Sequence, residues 1–199
     1  VPDAEIPAAA AAVAGAAALV GHTSGATPLS ALAPAARFGL HPLQTFALDS
    51  SGLSAFAGAG CAVAGSTAEA LAFAADLART LGMTPFEIDD DGRAAYHTAA
   101  SMASNFLVTL QAAAERIAAG AGLDPDEARQ LLVPLLRHTV DNVAELGPQR
   151  ALTGPVARGD DATVAAQRRA VAEAAPELLD LFDELVHHTR ALAGTAARA

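Results

Sequence analysis

At 199 residues and 52% hydrophobic content, the chain can bury a sizeable core as one compact domain or two small ones, which excludes a disordered polypeptide. Twelve basic against 22 acidic side chains leave a formal charge of −10 with no basic block, which excludes nucleic acid and anionic membrane surfaces and leaves a small molecule or another protein as partner. A single cysteine, Cys61, rules out an intrachain disulfide and fits a reducing cytoplasm.

In chain order, "VPDAEIPAAAAAVA" reads as a capped helix of the kind that follows a strand, so further sequence is expected upstream of Val1. The apolar run "AAAAAVAGAAALV" that overlaps its end is too short and too weakly hydrophobic to span a membrane. "AALVGHT" is a short strand ending in polar residues, "PLSALAPAAR" a short helix, and "HPLQTFA" a second strand starting at His41. "GAGCAVAG" is a third strand, with Cys61 as a packed thiol. "TAEALAFAADLARTLG" is a helix stopped by Gly82, and "TPFEID" a fourth strand. The acidic "EIDDDG" reads as a hinge loop capping the next helix at Asp91, since three adjacent Asp cannot all turn inward on a cation. From Gly92 onward helical spacing dominates, over 93–119, 125–145, 161–174 and 176–193. Asp124 and Pro125 open one of these helices as cap and first residue, and Pro134 and Pro176 are expected to kink or divide others. The fold class is therefore α/β followed by all-α, in two domains, 1–90 and 91–199.

The helix "RAAYHTAASMASNFLVTLQAAAERIAAG" carries the sharpest local signal. His97, Ser101 and Asn105 recur every four residues and share one face among apolar neighbours that include Tyr96, Ala100 and Phe106. Such a stripe needs hydrogen-bond partners or a wet cleft. Two readings stand: backbone partners between packed helices, or a site.

The blocks "HTSG", "GLHPLQTF", "YHTAASMASNF" and "ALTGPVARGD", in this order over roughly 17–193, resemble the domain of unknown function 2520 family. That family is similar to the β-hydroxyacid and 6-phosphogluconate dehydrogenase group. The resemblance implies that 1–90 is the C-terminal part of a Rossmann-like dinucleotide-binding domain and 91–199 a 6-phosphogluconate dehydrogenase C-terminal-like helical domain that pairs into a homodimer. It implies a portion of an NAD(P)-dependent oxidoreductase acting on a small oxo or hydroxy acid, cytoplasmic, with NAD(P) as cofactor of the complete protein. His97, Asn105, His22 and His41 become candidate catalytic residues, the imidazoles as general acids and Asn105 as the group orienting the substrate oxygen. Ser24, Gln44, Ser101 and Arg158 become candidate substrate ligands, and Thr23 and Gly25 candidate cofactor contacts.

The departures from that pattern matter equally. In β-hydroxyacid dehydrogenases a Lys stands four residues before the Asn; here it is Ser101, and all twelve basic residues are arginine. Any catalysis is then histidine-led, and the alternative is a binding or scaffold protein that keeps the architecture without hydride chemistry. "GAGCAVAG" offers G-x-G without the strand-to-helix context of a dinucleotide fingerprint, so Gly58 and Gly60 read as loop and strand glycines. The fingerprint is expected before Val1, and this chain alone is expected to bind NAD(P) weakly or not at all. "HH" at 187–188 reads as a solvated helix end with its two rings pointing apart, and no metal is expected. For Arg158 an anion clamp and a salt bridge with Asp160 or Asp161 both remain open.

Overall fold

The computed structural model describes residues 1–32, 36–46 and 53–196. Contacts divide the chain into two units, Val1–Phe106 and Leu107–Ala199. The first holds a mixed four-stranded sheet: β1 (Leu19–His22), β2 (Ala36–Leu43), β3 (Gly60–Gly65) and β4 (Thr84–Glu87), side by side in chain order. β1 and β2 run parallel with His22 opposite Gly39, β3 turns back antiparallel with Ala62 opposite His41, and β4 runs parallel to β3. β2 begins at Ala36, five residues earlier than the sequence pattern suggests, so His41 lies near the end of its strand. Of the helix expected over "PLSALAPAAR", only a 3-10 turn at Leu29–Ala31 forms; Ala33, Pro34, Ala35 and also Ala47 lie outside the described residues.

Side chains alternate across a strand, so the register assigns each residue a face. Leu40, Cys61 and Val63 point to one side and pack on α2 (Ala68–Thr80), with Met83 closing the cluster. α2 presents Ala70, Ala74 and Ala78 at four-residue spacing, and these small side chains let helix and sheet approach closely. At Gly65 a Cβ would stand 2.2 Å from the Leu71 backbone nitrogen, so only glycine fits. Thr67 caps the helix by accepting from the Ala70 N–H at 3.2 Å, and Gly82, at φ +83°, stops it. Cys61 is fully buried here, and burial pushes its thiol up to about 11.

The opposite face carries Val20, His22, Gly39, His41 and Ala64. Part of it is covered by α1 (Ile6–Ala12) and the 3-10 turn, through Ile6, Ala10, Leu29 and Leu32. A connection after β4 then leads into α3 (Arg93–Ala103). Its start is set by Asp89, whose carboxylate accepts from the Gly92 N–H at 2.8 Å, while Gly92 rather than Asp91 is the N-cap residue. The helical pattern over 93–119 is broken at Ser104, with α4 (Asn105–Ala118) following. Ser and Asn compete with the helix for backbone groups, which suits them to such a break.

The second unit is helical: the rest of α4, then α5 (Pro125–Leu146), α6 (Pro148–Ala151), α7 (Pro155–Arg158), α8 (Asp161–Ala174) and α9 (Leu179–Ala196). Asp124 accepts from the Asp126 and Glu127 N–H groups at 3.0 Å, so Asp-Pro opens α5 as its chemistry dictates. Pro134 lies inside α5 without dividing it, whereas Pro176 separates α8 from α9. The buried residues are few and small, Ala128, Val164, Val171 and Ala175. Arg168 grips Asp183 through two nitrogens, at 2.8 and 2.9 Å, to tie α8 to α9. His187 and His188 touch edge to face at 5.2 Å instead of pointing apart. No helix among the described residues is long and apolar enough to cross a membrane.

Candidate functional site

α3 opens on the sheet face that bears His22, Gly39 and His41. Its first residue, Arg93, is 2% exposed; Nε donates to Asp90 Oδ1 at 3.1 Å and Nη1 to the Ser24 carbonyl at 3.5 Å. Its guanidinium fits because Gly39 has no side chain: a Cβ there would stand 2.7 Å from Nη2. Asp90 also accepts from the Leu29 N–H at 2.9 Å. One of the three adjacent Asp thus bonds a guanidinium and a backbone amide while its side chain stays partly exposed.

One turn further along α3, the side chains of Tyr96 and His97 meet His41. The Tyr96 hydroxyl lies 2.7 Å from His41 Nδ1, and the His41 and His97 rings stand edge to face at 5.9 Å. Both imidazoles point at Gly25, in the turn after β1. A Cβ on Gly25 would meet His97 Nδ1 at 2.6 Å and His41 Nε2 at 2.9 Å. His97 Nδ1 is buried and has no hydrogen-bond partner among the described residues. Burial, then the neighbouring His97 and Arg93, holds the His41 ring below its ordinary titration range, with Asp3 opposing. From this pair a cleft of about 550 Å³ runs along the helix, lined among others by His41, Gln44, Tyr96, His97, Ser101 and Asn105. The four-residue spacing of His97, Ser101 and Asn105 therefore marks the wall of a cleft, and the break at Ser104 does not take Asn105 out of it.

The other residues of the "HTSG" block divide. His22 is the last residue of β1, 7% exposed, and neither ring nitrogen has a partner among the described residues. Burial and then Arg93 push its pKa down, against the charges of Asp3 and Asp90. It borders a separate cleft with Asp3, Thr23 and Ser24. The Ser24 hydroxyl donates to Asp3 at 2.6 Å and accepts from the Ala26 and Thr27 N–H groups, so it shapes the turn that carries Gly25. Gln44 likewise holds its own loop, donating to the Ala55 carbonyl at 3.0 Å and accepting from the Thr45 N–H at 2.9 Å.

The family profile described as Domain of unknown function (DUF2520) matches residues 59–189, about two thirds of the chain. The chain belongs to the DUF2520 family. Among solved structures it is similar to the "putative NADP oxidoreductase BF3122" of Bacteroides fragilis, at 26% identity and TM-score 0.81, covering 96% of this chain and 72% of that one. It is also similar to protein TM1727 of Thermotoga maritima, at 29% identity and TM-score 0.83, covering 98% and 76%. No curated protein matches the chain in sequence. The fold is thus a Rossmann-like α/β part followed by a helical domain, as these neighbours have.

The Bacteroides fragilis neighbour is described as an NADP oxidoreductase, and a dinucleotide of that kind makes different demands at its two ends. The pyrophosphate needs a Gly-rich turn feeding a helix N-terminus. Among the described residues β1 leads instead into the Ser24 turn and a three-residue 3-10 segment, and the first turn of α2 is capped by Thr67. Gly58, at φ +77°, is a loop glycine and Gly60 begins β3. These residues do not fit the phosphates. The bare Cα of Gly25 beneath two imidazoles does fit the reacting end. Arg158 closes α7 in the second unit and makes no ion pair with Asp160 or Asp161; Asp161 pairs with Arg190 at 2.6 Å. Among the described residues no three His, Cys, Asp or Glu gather in a way that could hold a metal. Sequence reasoning passed over Tyr96 as an apolar neighbour and gave Arg93 no role. The pairing of Asp90 with Arg93 at i, i+3 was the signal available for the second.

Proposed function

We propose that this DUF2520 chain carries the substrate-binding part of an NAD(P)-dependent oxidoreductase acting on a small oxo or hydroxy acid. The observation that supports it is the convergence of His41 Nε2 and the unpartnered His97 Nδ1 on the bare Cα of Gly25. A carbonyl oxygen that gains charge during reduction needs a hydrogen-bond donor and a proton, and two imidazoles on one spot supply both. The nicotinamide, when bound, supplies the hydride. In this assignment His97 holds the proton that passes to the substrate oxygen, and His41 donates a hydrogen bond to it. Asn105 and Ser101 orient the substrate from the helix, and Thr23 and Gly25 border the nicotinamide. Ser24 builds the turn that carries Gly25, and His22 faces the neighbouring cleft.

Among the described residues the cleft lining contains no arginine, and the chain has no lysine. A substrate carboxylate in this cleft would therefore be met by uncharged donors such as Ser101 and Gln44. The same absence is what favours the second reading, a non-catalytic binding protein that retains the architecture. Both are separated by NADPH oxidation assays on the full gene product with a panel of small 2-oxo acids and uncharged ketones. Turnover that falls by about 10²–10⁴-fold in His97→Gln, with dinucleotide affinity unchanged, is expected. A gene product that binds no dinucleotide, or a His97→Gln protein with full activity per folded molecule, overturns the proposal.

We further propose a homodimer through the helical domain. Leu131, Leu135, Val140 and Val143 on α5 and Leu181 and Leu185 on α9 are all exposed, large apolar side chains that a second copy of the chain would cover. Light scattering that gives a monomer mass at micromolar concentration would count against it.

A further inference from the structure

The hydrogen bond between His41 Nδ1 and the Tyr96 hydroxyl, at 2.7 Å, admits two arrangements, because a neutral imidazole carries its proton on either nitrogen. In one, the phenol donates to a bare Nδ1 and the ring proton sits on Nε2. In the other, the ring donates from Nδ1 and the phenol must place its own proton elsewhere. Burial first, with the nearby Cys61 thiol, raises the Tyr96 hydroxyl above its ordinary value against Arg93, so the phenol keeps its proton at neutral pH. The ring of His41 is neutral there for the reasons already given. A phenol is a far stronger acid than a neutral imidazole N–H, and a bare imidazole nitrogen is a far better acceptor than a phenol oxygen. The hydroxyl has no second hydrogen-bond partner among the described residues, so only the first arrangement engages its proton within the protein. The Tyr96 ring is also held in place, edge to face with Phe86 of β4 at 5.8 Å and with His41 itself at 5.5 Å.

We infer that Tyr96 is a positioning residue that locks His41 in the Nε2–H tautomer, so that His41 presents a fixed hydrogen-bond donor over Gly25 and proton transfer falls to His97. The division follows from direction. Nε2 is the His41 nitrogen nearest Gly25, and with its proton on that atom the ring offers the space a donor and no acceptor. His97 brings Nδ1, which no group among the described residues engages. The two imidazoles, equivalent candidates as sequence positions, thereby receive different tasks. Tyr96 acts through His41 and touches no reacting atom.

The use of the donor rests on the oxidoreductase reading; the tautomer does not. It is read from long-range 1H–15N correlation spectra of the 15N-labelled 199-residue chain above the histidine titration range, with His41→Gln assigning the signals. The expected native spectrum shows a protonated Nε2 and an unprotonated Nδ1 whose resonance is displaced by accepting a hydrogen bond. In Tyr96→Phe that displacement disappears and both tautomers are populated, while circular dichroism and the His97 signals report an intact fold. A native ring protonated on Nδ1, or a Tyr96→Phe protein that folds and keeps the native His41 signals, overturns the inference. If Tyr96→Phe fails to fold, the native spectrum alone decides. An Nε2–H tautomer in a gene product without reductase activity upholds the tautomer lock and overturns the functional reading, so the two fail separately.

Discussion

Gly25→Ala tests whether the two imidazoles converge as the cleft geometry requires. Gly25 is not among the glycines at positive φ, so alanine brings no backbone strain and the whole effect is steric. The new methyl would stand 2.6 Å from His97 Nδ1, 2.9 Å from His41 Nε2 and 3.0 Å from His41 Cε1, against an ordinary contact of about 3.5–4.0 Å. At least one ring must therefore retreat by roughly 1 Å. His41 is anchored at Nδ1 by Tyr96 and His97 is not, so His97 moves and the pair separates. Overpacking of this kind costs about 1–3 kcal/mol. In a chain of this size each kcal/mol lowers the melting midpoint by about 2–4 °C, which sets the range for a calorimetric scan. The imidazole 15N signals of His97 should shift more than those of His41, and turnover of the gene product should fall with them. A variant that melts like the parent and leaves both imidazole spectra unchanged would refute the convergence.

Gly65→Ala should be more disruptive, by more than about 3 kcal/mol, because its methyl would meet the backbone of α2 at 2.2 Å and neither β3 nor the helix has a flexible tip to move; chemical denaturation compares the two variants directly. The lowered pKa of His22 means that the unfolded chain binds its proton first as pH falls. Stability should accordingly be full above the ordinary histidine value of 6.5 and decline below it, and His22→Leu should flatten that decline in urea titrations at pH 7.5 and 5. Cys61, raised to about 11, should resist thiol reagents in the native protein at pH 8 and react on unfolding. Because the unfolded thiol ionises first, stability should also drop as pH rises from about 9 through 11. A native Cys61 that is alkylated as fast as in urea would show that β3 is not packed as described.

Local chemistry determined much of this protein before any tertiary contact. The Asp124-Pro125 start of α5, the Gly82 stop of α2, and the apolar run of β3 were legible because each depends on a few neighbouring residues and the backbone groups they satisfy. The spacing of His97, Ser101 and Asn105 likewise marked one wall of the cleft, since a helix puts every fourth side chain on the same side. β2 was misjudged at its start: the Ala-rich, Pro-containing stretch before His41 has helical composition, and pairing with both β1 and β3 draws it into the sheet from Ala36. The antiparallel return of β3 and the bond from the Leu29 N–H to Asp90 were equally beyond a local pattern. What only the tertiary structure decided is which atoms meet. Tyr96 reads as an apolar helix residue until its hydroxyl is set against His41, 55 positions away, and nothing in the helical spacing singles out Arg93, for whose guanidinium Gly39 makes room. Hydrogen bonds and close contacts depend on tenths of an ångström between elements far apart in the chain, and residue spacing within a single helix or strand carries no such information.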